Sequence, residues 1–104
     1  MNNVRRKKTS KLINELEILN DNYNQECLNR CIGVLEDIKN EEEEAFDNML
    51  GGLRYSSRGI DAEAAIDNLE EALGYLEETI DIKDNEDRQT NIEMAIDCLE
   101  DASI

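Results

Sequence analysis

Residues 12–38 read LINELEILNDNYNQECLNRCIGVLEDI, and their spacing decides the fold class. Leu12, Leu16, Leu19, Tyr23, Cys27, Cys31, Leu35 and Ile38 follow one another at steps of three or four residues. Side chains so spaced share one face of an α-helix, whereas a strand would alternate with period two. Ile13, Leu28, Ile32 and Val34 widen the stripe, as a helix packed among others requires. The pattern runs on through Ala45, Phe46 and Met49, and between 11 and 49 only Gly33 interrupts it. The spacing predicts one helix over about 12–49, roughly 60 Å long.

On the N-terminal side lies a basic lead-in, residues 1–11. Its Arg5, Arg6, Lys7, Lys8 and Lys11 oppose the positive end of a helix dipole, so this start should fray unless an anion meets it. On the C-terminal side, Gly51-Gly52 is expected to end the long helix and open a loop over 50–60. Asp61 is the expected N-cap of a helix over about 61–82, with the stripe Ala65, Ile66, Leu69, Leu73, Leu76 and Ile80. Lys83 to Asn91 holds no apolar residue, and the pattern resumes at Ile92, Ala95, Ile96 and Leu99. The step from Ile80 to Ile92 would turn a continuous helix by about 120° away from its starting face. A break near Asp84–Asp87 is therefore expected, with a last helix over about 86–102. Thr90-Asn91-Ile92-Glu93 or Asn85 would cap it. The octet from Ala65 to Ala72 recurs, with changes, from Ala95 to Ala102, too few copies for a solenoid.

The expected fold is all-α, an antiparallel helical hairpin or three-helix bundle in one domain. The long N-terminal helix would pack against two shorter helices laid end to end. So narrow a stripe leaves apolar surface for self-association to cover, which implies a homo-oligomer. Composition agrees with helices: 104 residues without Trp or Pro, and a core stock of Leu, Ile and Ala. The formal net charge is −15. The first 11 residues hold five of the 11 basic residues and no acid, so the remainder sets six cations against 26 carboxylates, a net −20. Such a body repels phosphate backbones and membrane surfaces and attracts basic protein faces. Direct nucleic-acid binding by the short basic arm is not expected. No stretch has the roughly 20 apolar residues of a membrane span. Three cysteines in no disulfide pattern point to a reducing cytoplasm.

The constellations that carry chemistry are few. Cys27 and Cys31 share a helix face, but both lie on the apolar stripe. The chain has no His, and Cys98 would leave a metal one ligand short. No metal, cofactor or catalytic set is expected, since no nucleophile has a base beside it. Two candidate binding surfaces stand out. One is the acidic run Glu41, Glu42, Glu43, Glu44 and Asp47. The other is the loop Arg54, Tyr55, Ser56, Ser57 and Arg58, which gathers donors and an aromatic ring in an acidic molecule. The plainer readings are a solvated helix face for the first. For the second they are arginines paired with nearby acids, with Tyr55 covering the bundle's end.

Three stretches, Glu41 to Met49, Leu53 to Gly59 and Ala65 to Ala72, together with the start Arg5-Arg6-Lys7-Lys8, resemble small acidic helical proteins of phages and prophages of Gram-positive bacteria. The resemblance spans roughly residues 4–80. Those proteins typically carry a Pro after the Asn-Met pair, where this chain has Leu50-Gly51-Gly52. The resemblance implies a phage accessory protein built as a helical hairpin, and no reaction. The expected function is therefore non-enzymatic: binding that inhibits or sequesters a host defence factor through its basic surface, by acidic imitation of DNA. Two alternatives are a self-assembling structural protein, and an oligomeric sponge for an anionic nucleotide signal held by Arg54, Tyr55 and Arg58.

Overall fold

Asn20-Asp21-Asn22-Tyr23-Asn24 sets short polar side chains in series, and these compete with helical hydrogen bonding and favour caps and turns. In the computed structural model the chain turns there. The structure describes residues 1–104, with Arg54 described by its backbone only. Helix α1 spans Asn3–Asp21 and helix α2 spans Gln25–Asp47. Asn24 is the N-cap of α2, its side chain accepting from the Cys27 N–H at 3.2 Å. The single helix expected over 12–49 is thus two helices folded into a hairpin. The connection is three residues, close to one helical turn, so the apolar period passes through the turn undisturbed. Tyr23, read as a stripe residue, instead closes this end of the fold, with the Arg88 guanidinium 4.3 Å from its ring centre.

The expected frayed lead-in is also helical. Asn2 caps α1, its side-chain oxygen accepting from the Arg5 N–H at 2.8 Å. The anions that the basic start requires come from the last turns of α2. Arg5 Nε donates to Glu42 at 2.6 Å, and Lys8 Nζ donates to Glu41 at 2.8 Å.

Beyond α2, Gly51-Gly52 opens a one-turn helix, α3 (Gly51–Arg54), rather than ending a long one. No glycine has a positive φ; α2 stops at Asn48, whose N–H reaches back to Glu44 O. Helix α4 spans Ser57–Thr79, so it starts one turn before the expected Asp61 cap, after Ser56. Helix α5 spans Asn85–Ala102. Its N-cap is Asp84, which accepts from the Asp87 N–H at 3.3 Å, while Thr90 only returns its hydroxyl to Glu86 O. Acids Glu86 and Asp87 in the first turn suit the dipole. The expected break before α5 is present, but α5 folds back along α4 instead of extending it.

The result is an up-down-up-down four-helix bundle with α3 as a corner. Neighbours pack in a ring: α1 on α2, α2 on α4, α4 on α5, and α5 on α1. Leu16, Leu28, Leu35, Leu69, Leu76 and Leu99 meet along its axis, all fully buried. The buried hydroxyls of Thr9 and Thr79 are satisfied by the carbonyls of Arg5 and Tyr75. The bundle is a rod of 47 × 19 × 18 Å, and its radius of gyration of 14.2 Å exceeds the roughly 13 Å of a compact 100-residue domain. A rod gives each helix a long outward face, which is where the charge lies.

Candidate functional site

The acidic run of α2 is only partly a surface. Glu42 is 1 % exposed; its carboxylate takes Arg5 on one oxygen and lies 3.4 Å from the Met1 amino group on the other. Glu41 is paired with Lys8, and Glu43 lies 3.6 Å from Lys39. Glu44 and Asp47 are exposed. The sequence presents the run as an array of carboxylates, but folding α1 back onto α2 lays a cationic helix against it. Its first role here is to neutralise the bundle's own basic start.

The second candidate, the stretch 54–58, sits at the α3 corner. The Arg54 side chain lies outside the described residues. Tyr55 is 87 % exposed and does not cover the bundle's end. Ser56 donates its hydroxyl to Leu53 O, and Ser57 and Arg58 form the first turn of α4. Arg58 lines an open cleft of about 480 Å³ together with Arg5, Arg6, Glu42 and Asp61. Leu50, Leu53 and Ile60 stand exposed beside Tyr55, giving this corner an apolar character.

The strongest anionic surface is one that the sequence reading did not single out. From Gly59 to Ile104 the chain carries fifteen carboxylates and two cations, Lys83 and Arg88. The apolar faces of α4 and α5 point inward, so Asp61, Glu63, Asp67 and Glu70 on α4, and Glu93, Asp97 and Glu100 on α5, all face solvent. The excess is legible in the number of acids along α4 and α5, although four consecutive Glu form the more conspicuous run. Most cations lie at one end of the rod, at the start of α1 and at Arg58, so the rod is electrically polarised.

The cysteines are free. Cys31 lies in the core and Cys27 at its margin. Cys98 occupies the α4–α5 seam beside Glu71, across the bundle from α2, and burial and that carboxylate push its thiol up. Among the described residues no three His, Cys, Asp or Glu side chains converge on a common point for a metal. No helix is long and apolar enough to cross a membrane. Burial, with Cys27 nearby, pushes the Cys31 thiol from its ordinary 9.0 up to about 12. The folded protein keeps that proton while the unfolded chain loses it, so stability falls as pH rises from about 9 toward 12. Urea midpoints measured from pH 8 upward should decline more steeply in the parent than in Cys31→Ala. An equal slope would show that Cys31 does not carry the effect.

In comparisons with known proteins, no family model matches the sequence, no curated protein matches it, and no solved structure matches the fold.

Proposed function

We propose that this is a non-enzymatic phage accessory protein that docks its acidic α4–α5 hairpin in the basic groove of a host nucleic-acid enzyme, such as a defence nuclease, and blocks it. The observation that carries the reading is charge density. Fifteen carboxylates on a hairpin whose longer helix is about 34 Å long give one charge per about 2.3 Å of rod. Duplex DNA presents one per about 1.7 Å. A surface within a factor of two of that density, on a rigid scaffold, competes for the same arginines and lysines.

The test is capture of partners by tagged protein from nuclease-treated lysate of a Gram-positive host. The expected partner is a basic nucleic-acid enzyme that duplex DNA displaces. Its affinity should fall at least about tenfold as screening lengths shorten between low and moderately high salt. Reversing Glu93, Asp97 and Glu100 to Lys should abolish capture, while reversing Glu44 should not. Affinity that stays flat with salt would overturn the reading.

A second reading, a sponge for an anionic nucleotide, draws on the cleft that joins Arg5, Arg6 and Arg58. Glu42 and Asp61 line the same cleft and oppose an anion there, so the hairpin reading is preferred.

A further inference from the structure

Two helix faces are left unpartnered by the bundle, and they match each other. On α1 the outward residues Val4, Lys7 and Lys11 are exposed, and neither lysine has a carboxylate partner among the described residues. Unpaired lysines are notable in a chain with 26 carboxylates. On α4 the outward residues are Ile60, Glu63 and Asp67, also exposed. The two triplets have the same three-then-four spacing, so Val4 meets Ile60, Lys7 meets Glu63 and Lys11 meets Asp67 when the helices lie parallel. One turn further Asn14 falls opposite Glu70, and Ile18 opposite Gly74, where a side chain would meet nothing within 4 Å. Val4, Ile18 and Ile60 are 61 %, 68 % and 60 % exposed, so the pairing would cover three of the large apolar side chains that the monomer leaves in water.

The geometry points to a second copy of this chain as the occupant: α1 of one molecule docks, parallel and in register, on α4 of the next. Within one bundle α1 and α4 are diagonal, run the same way and start at the same end, since both line the cleft there. Their outward faces therefore point in opposite directions. A sideways shift without axial stagger brings one bundle's α1 against the next bundle's α4 and leaves a free α1 and a free α4 at the two ends. Such a heterologous contact does not close on itself, so it propagates as an open row. Beyond Ile18 the register would set Asp21 against Glu77, so the match ends after two heptads. A contact this short belongs with weak, transient interfaces below about 1,200 Å². Paired charges at contact act well inside the screening length of about 8 Å, while the repulsion between two net-negative bundles acts across a whole rod width and is screened.

This inference stands apart from the host-docking reading, which is tested at the α5 carboxylates Glu93, Asp97 and Glu100, and its own test uses purified protein alone. Sedimentation velocity of the full chain at physiological ionic strength should show mass rising with concentration and no limiting dimer. The Lys7→Glu, Lys11→Glu variant alone and the Glu63→Lys, Asp67→Lys variant alone should each stay monomeric. An equimolar mixture of the two should associate again, because each face then meets its opposite. Both variants remain net anions, so general attraction does not explain recovery. The variant Glu93→Lys, Asp97→Lys, which leaves both faces intact, should associate on its own as the parent does, and failure to do so would count against the α1–α4 contact. All the substituted positions are exposed, and unchanged thermal melts would confirm folding. A parent chain that stays monomeric at millimolar concentration would overturn the inference. So would a mixture that fails to associate, or lysines that retain duplex DNA instead of a second copy.

Discussion

Replacing Arg5 by Ala is expected to lower the stability of the fold by about 3 kcal/mol, a large share of the total for a domain this size. The guanidinium is the closer of two cations that hold the buried Glu42 carboxylate, 2.6 Å away against 3.4 Å for the Met1 amino group. Without Arg5, a carboxylate almost sealed from water keeps one longer partner. An uncompensated buried charge costs far more than the pair itself contributes. The double variant Arg5→Met, Glu42→Leu should therefore recover much of the loss, because two apolar side chains fill the site and only the Met1 amino group loses its carboxylate partner. Urea denaturation followed by circular dichroism measures all three chains. A loss below about 0.5 kcal/mol for Arg5→Ala, the range of ordinary surface changes, would show that the pair does not hold the end of the bundle.

Leu69→Ala should cost a similar amount, about 3 kcal/mol within a range of 2–5, by a different route. Leu69 is fully buried among residues of all four long helices, so truncation leaves a cavity that no single helix can collapse to fill. At about 4–8 °C per kcal/mol for a domain near this length, the melting temperature should drop by well over 10 °C. Leu53→Ala is the control. Leu53 is 41 % exposed at the α3 corner, and its truncation should change stability by about 0.5 kcal/mol or less. Equal effects at the two positions would contradict the core described here.

Leu12, Leu16, Leu19, Leu28, Leu35, Leu69, Leu76 and Leu99 were legible as core from spacing alone, because helical period and burial are the same signal. The break before α5 was legible because the twelve-residue step from Ile80 to Ile92 rotates the stripe off its face. The turn at 22–24 was not, although Asn22 and Asn24, with Asn20 and Asp21 just before them, advertise it. A connection about one helical turn long preserves the period, so Tyr23 looked like one more stripe residue. The candidate site divided in the same way. Tyr55 and Arg58 could be placed on an exposed corner from composition, but Glu42 could not be placed in the interior, because its burial depends on Arg5 arriving from 37 positions away.

What the amino-acid sequence determined is local and additive: an all-helical chain, the residues that face inward, and the excess of carboxylate that any fold of it must carry outward. The tertiary structure decided which charges meet. It folded α1 onto α2, so that the basic start neutralises Glu41 and Glu42 of the four-glutamate run, and it folded α5 onto α4, so that their carboxylates share one flank. The physical reason is range. Periodicity reports contacts three or four residues apart, whereas ion pairs and surface fields depend on distances that exist only once the helices have packed.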